Sequence, residues 1–146
     1  MKIRDIVELV KERGVPTVSE ECTIEAVMDV MYKFPHSRLV YVVNEKNELT
    51  GTISLGLFVR HALSHKYEPS IHPRRLLEMV THETAVDIML KAPVTATEDE
   101  DVELVLKRMV DANVKEIGVL DTEGRLVADI TMLDLLKTLG GLPEDS

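Results

Sequence analysis

Apolar residues fall along the chain in short blocks, and their spacing changes from block to block. "VPTV", residues 15–18, reads as extended, because Pro16 blocks a helix and Val and Thr favour a strand. In "TIEAVMDVMYKF" the residues Ile24, Val27, Met28 and Met31 recur at helical spacing and form one apolar face. "RLVYVV" predicts a strand, "NEKN" an Asn-rich turn, "ELTGTIS" a second strand and "LGLFVRHALSHK" a helix. The order is strand, helix, strand, strand, helix.

That order returns over residues 93–139, displaced by about 77 or 78 residues. "PVTA" answers "PTVS", and "DVELVLKRMVDA" answers "TIEAVMDVMYKF", with Val105 and Met109 in the places of Val27 and Met31. "EIGVLDTEGRLVADIT" answers "LVYVVNEKNELTGTIS", hairpin for hairpin. Between the copies Pro69 and Pro73 break the chain and "RRLLEMV" predicts a short helix, in a stretch too apolar for a free linker. These boundaries give a first unit with an N-terminal helix at 1–68, a connecting helical segment at 69–82 and a second unit at 83–146. One unit has too few strands to close a core, and two packed through their apolar faces would. The expected fold class is α/β, of the α+β kind: two β-α-β-β-α units as a pseudo-twofold pair with two related clefts.

Composition narrows the function. The 146 residues are 45% hydrophobic but only 3% aromatic, without Trp, so stacking platforms for bases are few. A formal charge of −9, with no basic cluster, disfavours a phosphate backbone as partner, so no nucleic acid is expected. The opening "MKIRDIVELVKERG" lacks the apolar centre of a signal peptide, and no run is long enough to span a bilayer. A cytoplasmic location without membrane insertion is the expectation. The single cysteine, Cys22, excludes an intramolecular disulfide and reads as a structural thiol.

The second copy of the unit, "AVDIMLKAPVTATEDEDVELVLKRMVDANVKEIGVLDTEGRLVADITMLDLL", with "DIM" leading in, "PVTA" at the first strand, "VLD" closing the second and "TMLD" opening the last helix, resembles the tandem CBS-domain (cystathionine beta-synthase domain) proteins, or Bateman modules. The first copy, from "RDIVELV" to "TISLGLFV", is weaker but complete. The resemblance implies paired β-α-β-β-α units that sense adenosine-containing ligands (AMP, ADP, ATP or S-adenosylmethionine), a regulatory rather than catalytic role, no required cofactor, and a homodimer acting on an unknown regulated protein. It also implies that Thr131 and Asp134 hold the ligand's phosphate and ribose, that backbone near Val94 and Thr95 flanks the adenine, and that Lys115 meets a phosphate. Ser54 keeps the hydroxyl in the first copy, but Leu57 stands where Asp134 would be and cannot hold a ribose. Ala128 replaces the family's usual Gly, and Asp129 adds a charge near the phosphate path.

Other readings of these residues stay open. Thr131 with Asp134 also fits a capping box, and the two roles can coexist. Thr97 with Glu100 reads as a cap alone. His61 and His65 stand four apart on a helix, as metal ligands do, but no third ligand is evident and no metal is assigned. Met28, Met31, Met79, Met89 and Met109 read as core. Leu55, Phe58, Leu135 and Leu139 are expected to stay partly open and to drive dimerisation. The rival function is a structural or dimerisation module with vestigial clefts, docking to a partner protein.

Overall fold

The structure is a computed structural model that describes residues 1–64 and 83–139. Its first half runs α1 (Ile3–Val10), a 3-10 turn (Lys11–Arg13), β1 (Thr17–Ser19), α2 (Ile24–Lys33), β2 (Leu39–Val43), β3 (Leu49–Ser54) and α3 (Leu55–Ser64). The second half runs α4 (Ala85–Ile88), β4 (Leu90–Lys91), β5 (Thr95–Thr97), α5 (Val102–Ala112), β6 (Glu116–Leu120), β7 (Leu126–Thr131) and α6 (Met132–Leu139). The fold is therefore mixed α and β, with the two expected β-α-β-β-α repeats.

The repeat extends to register. Strands β1 and β5 run parallel to β2 and β6, which pair antiparallel with β3 and β7. Both hairpins carry a register shift at the same step, between Val42 and Val43 and between Val119 and Leu120. Both turns are tied by one side chain: Asn44 Oδ1 accepts the N–H groups of Lys46 and Glu48 at 2.9 and 3.0 Å, and Asp121 Oδ1 those of Glu123 and Arg125 at 2.9 Å each. The left-handed corner falls to Asn47 (φ 63°) in one and Gly124 (φ 82°) in the other, residue types that tolerate it.

Packing crosses the repeats over. One compact unit comprises residues 1–15 with 93–146, and the other residues 16–92. The helix that leads each repeat thus serves the other repeat's sheet. Ile3 and Arg4 donate their N–H groups to the carbonyls of Glu100 and Glu98, at 2.9 and 3.0 Å, just as Ala85 and Val86 donate to Cys22 and Glu20 at 3.0 Å each. Ile3, Ile6 and Val7 of α1 enter a core with Val102, Val105, Met109, Ile117, Val119, Ile130 and Leu135. Ala85 and Ile88 of α4 enter the other core with Val18, Ile24, Val27, Val40, Val42, Ile53 and Phe58. The cause is the one that makes a lone unit insufficient: a sheet of short strands covered by two helices leaves apolar area that a third helix must close. This division differs from the boundaries 1–68, 69–82 and 83–146, because the N-terminal helix closes the core built from the second repeat. The segment "RRLLEMV", with Met79, lies outside the described residues.

Two residues expected to be partly open are not. Phe58 and Leu135, equivalent positions of the two repeats, are 7% and 0% exposed, because they face the sheet beneath their helices. Leu55, Val59 and Leu63 on α3, and Leu133, Leu136 and Leu139 on α6, are the apolar residues left exposed there. The methionines behave as read: Met109 is buried and Met28, Met31 and Met89 pack against the other core. Among the described residues no helix is long and apolar enough to cross a membrane.

Candidate functional site

Strand β7 runs without a break into α6, and the corner is fixed by two sets of bonds. The Met132 N–H donates to the Lys115 carbonyl at 2.8 Å, as Leu55 N–H does to Arg38 at 2.9 Å in the first repeat. At the helix start, Thr131 Oγ1 accepts the Asp134 N–H at 3.1 Å while Asp134 Oδ2 accepts the Thr131 N–H at 2.8 Å. This is the reciprocal capping box. Its counterpart is half-made: Ser54 Oγ accepts the Leu57 N–H at 3.0 Å, and Leu57 has nothing to return.

The box also has a third member. Arg13, at the end of the 3-10 turn, donates through Nη1 to Asp134 Oδ1 at 3.1 Å and through Nη2 to Asp134 Oδ2 at 2.7 Å. Nη2 also donates to the Asp129 carbonyl at 3.0 Å. The pair is sheltered, Asp134 being 12% and Arg13 28% exposed at the side chain, and Arg13 Nε is buried with no hydrogen-bond partner among the described residues. Burial pushes the Asp134 carboxyl up, but the Arg13 guanidinium and the Thr131 N–H outweigh it and hold it below the ordinary carboxylate value. The hydrogen bond to Asp134 in turn raises the Arg13 pKa against the opposing effect of burial.

The other predicted residues gather at the same end of this sheet. Thr95 pairs with Gly118, which pairs with Asp129, so they form one row across three strands. The Thr95 carbonyl accepts Arg108 Nη1 at 2.8 Å, and Val94 is half-buried against the core. Lys115 holds the α6 corner through its carbonyl and leaves its side chain exposed. Thr97 and Glu100 do not form the α5 cap, since the N-cap is Asp101. Glu100 instead bonds back to the Thr97 N–H at 2.9 Å and receives Arg108 through both carboxylate oxygens, which holds its pKa low. A groove of about 600 Å³ lined by Met1, Asp101, Leu104, Lys107 and Leu139, among others, includes neither Thr131 nor Asp134.

Sequence reasoning missed Arg13. Its place gives no local signal, because its partner lies 121 residues away and the contact depends on α1 packing against the second repeat's sheet. The histidine pair is tested only in part: His61 Nε2 lies 2.9 Å from Glu83 Oε2, while His65, His72 and His82 lie outside the described residues. No group of three metal-ligating side chains occurs among the described residues. Cys22 is half-buried, and burial pushes its thiol up, as suits a structural role.

The CBS-domain profile matches this chain twice, over residues 3–63 and 85–141. The chain belongs to the CBS-domain family. Among curated relatives, an uncharacterized protein of Methanopyrus kandleri is 30% identical over 115 residues, 77% of this chain and 53% of that protein. The inosine-5'-monophosphate dehydrogenase of Methanocaldococcus jannaschii is 30% identical over 125 residues, 86% of this chain and 22% of that protein. This CBS pair thus spans about half of one relative and about a fifth of the other. Among solved structures, a CBS domain-containing protein of Thermotoga maritima superposes with a TM-score of 0.76 at 30% identity, covering 99% of this chain and 97% of that one. The cytosolic domain of the magnesium channel MgtE, solved with ATP, superposes at 0.64 with 26% identity over 85% of this chain and 44% of that one. The CBS pair of protein MJ0100, solved with 5'-methylthioadenosine and S-adenosyl-L-methionine, shares the fold at 0.70 and 22% identity over 98% of each chain.

Proposed function

We propose that this CBS pair is a regulatory module of the cytoplasm that senses an adenosine-containing ligand at the β7–α6 corner. The observation that carries the reading is the asymmetry of the two corners: only the second repeat has a carboxylate, Asp134, at the helix start. A ribose offers two adjacent hydroxyl donors, and a carboxylate is the acceptor suited to both. The Thr131 hydroxyl offers a donor to a phosphate, Lys115 a cation, and backbone near Val94 and Thr95 edges for the adenine. Relatives of this fold solved with ATP and with S-adenosylmethionine support the ligand class. Ser54 and Leu57 leave the first corner without a ribose acceptor, so one ligand per chain is the expected stoichiometry. The role is sensing rather than turnover: binding acts through its different affinity for two states of the module.

The exposed apolar rows on α3 and α6 support a second, compatible element, a homodimer formed through those helices. A structural module docking to a partner protein through the same rows is the rival reading. A thermal-shift panel of AMP, ADP, ATP and S-adenosylmethionine tests the ligand, since a native-state binder raises the melting temperature by mass action. No shift with any of them favours the rival. Sedimentation at micromolar concentration tests the dimer, and a pure monomer refutes it.

A further inference from the structure

Asp134 already has a partner. A carboxylate offers about four lone-pair positions, and here three are taken: one on Oδ1 by Arg13 Nη1, and two on Oδ2 by Arg13 Nη2 and the Thr131 N–H. One position is left, whereas two adjacent ribose hydroxyls need two. The Thr131 bond belongs to the helix cap and persists with α6, so the position to be yielded is one that Arg13 holds.

We infer that Arg13 is a latch on the Asp134 site: an adenosyl ligand engages the carboxylate only by displacing the Arg13 guanidinium, and this release frees one of the two segments by which the chain passes between the compact units. This rests on the reading of Asp134 as the ribose acceptor. Three features make Arg13 a latch rather than a fixed strut. Its Nε is buried and donates to nothing among the described residues, so its seat is incompletely satisfied. Its Nη2 keeps a second acceptor, the Asp129 carbonyl at 3.0 Å, so the guanidinium can give up Asp134 without losing every bond. Next in the chain is Gly14, at φ 81°, a conformation that glycine adopts without steric cost and from which it can pass to negative φ. Val15 ends one compact unit and Pro16 begins the other. A ligand that unseats Arg13 therefore acts next to the first of the two crossovers between them. The contact has no counterpart in the first repeat: Leu90, which follows Arg13 by the 77-residue offset of the two prolines Pro16 and Pro93, pairs as a strand residue with Thr52.

The test is calorimetry with ATP and, in parallel, S-adenosylmethionine on the full chain, comparing wild type, Arg13→Gln, Asp134→Ala and the double variant, each shown folded by circular dichroism. The latch predicts that Arg13→Gln binds about three- to tenfold tighter than wild type, the scale of a partly exposed ion pair removed from competition. It predicts no such gain for the double variant over Asp134→Ala. In wild type, ligand should speed hydrogen exchange at the amides of residues 11–15, a readout that needs no variant. If Asp134→Ala weakens binding but Arg13→Gln binds no tighter, the latch is overturned while the ribose reading stands. If Asp134→Ala changes nothing, or neither wild type nor Arg13→Gln binds either probe, both fall.

Discussion

The two sheet edges next to the two helix starts were built from one plan and completed differently. In the unit of residues 16–92, β4 adds a fourth strand, pairing Lys91 with Gly51 and Leu90 with Thr52. In the other unit the sheet ends at β7, and the carbonyl of Asp129, the counterpart of Thr52, takes the Arg13 guanidinium instead. The residues beneath follow suit. A Cβ at Gly51 would collide with the Met89 side chain and come within 2.9 Å of the Leu90 carbonyl, whereas its counterpart is Ala128, buried at 2% exposure. One edge is closed by backbone and leaves a helix start with Leu57. The other is closed by a charged side chain and leaves a helix start with Asp134. A backbone ladder is a permanent closure; an ion pair is one that a competing donor can open.

The cores should be alike where the edges are not. Phe58→Ala and Leu135→Ala remove equivalent buried side chains, and each should lower stability by about 2–5 kcal/mol in denaturant unfolding. A difference of more than a few kcal/mol would mean that the equivalence of the two positions is only formal. The edge residues should then part company. Gly51→Ala should lose about 1–3 kcal/mol because Met89 or β4 must shift, whereas Ala128→Gly should lose about 0.5–1 kcal/mol, a glycine's entropy in a strand. Equal losses by chemical denaturation would show that β4 does not crowd Gly51.

An effect of about the same small size concerns pH. Asp134 is held below its ordinary value of 3.8, so its stabilisation is present above that value and is lost as pH falls through the lower folded value. Wild type should exceed Asp134→Asn by about 1 kcal/mol at neutral pH, the scale of a cap with a sheltered ion pair, and the gap should narrow below pH 3.8. Melting curves across that range read it directly. A gap that widens in acid would contradict the assignment of the lowered carboxyl.

Most of the repeat was legible because it is local. The β-branched apolar run in "RLVYVV", the helical spacing of Ile24, Val27 and Met31, and the Asn-rich turn "NEKN", tied by Asn44, all act within a few residues. The box of Thr131 and Asp134 was legible for the same reason, its partners being three residues apart. Which sheet a helix covers is not local. The pattern in "RDIVELV" declares an apolar face, and nothing in it records that Ile3, Ile6 and Val7 close the core of the second repeat. Arg13 was hidden behind that same exchange. Phe58 and Leu135 were misjudged as partly open because a helix with apolar residues on more than one side does not declare which side meets the sheet.

The claim that the second repeat alone holds an adenosyl ligand, through Asp134, is tested most directly by calorimetry with ATP or S-adenosylmethionine on wild type and Asp134→Ala. The account predicts one site per chain, with Asp134→Ala weakening it about 10- to 100-fold, as loss of a charged acceptor worth about 1.5–3 kcal/mol requires. Two equal sites per chain, or an Asp134→Ala protein that binds as wild type does, would contradict it.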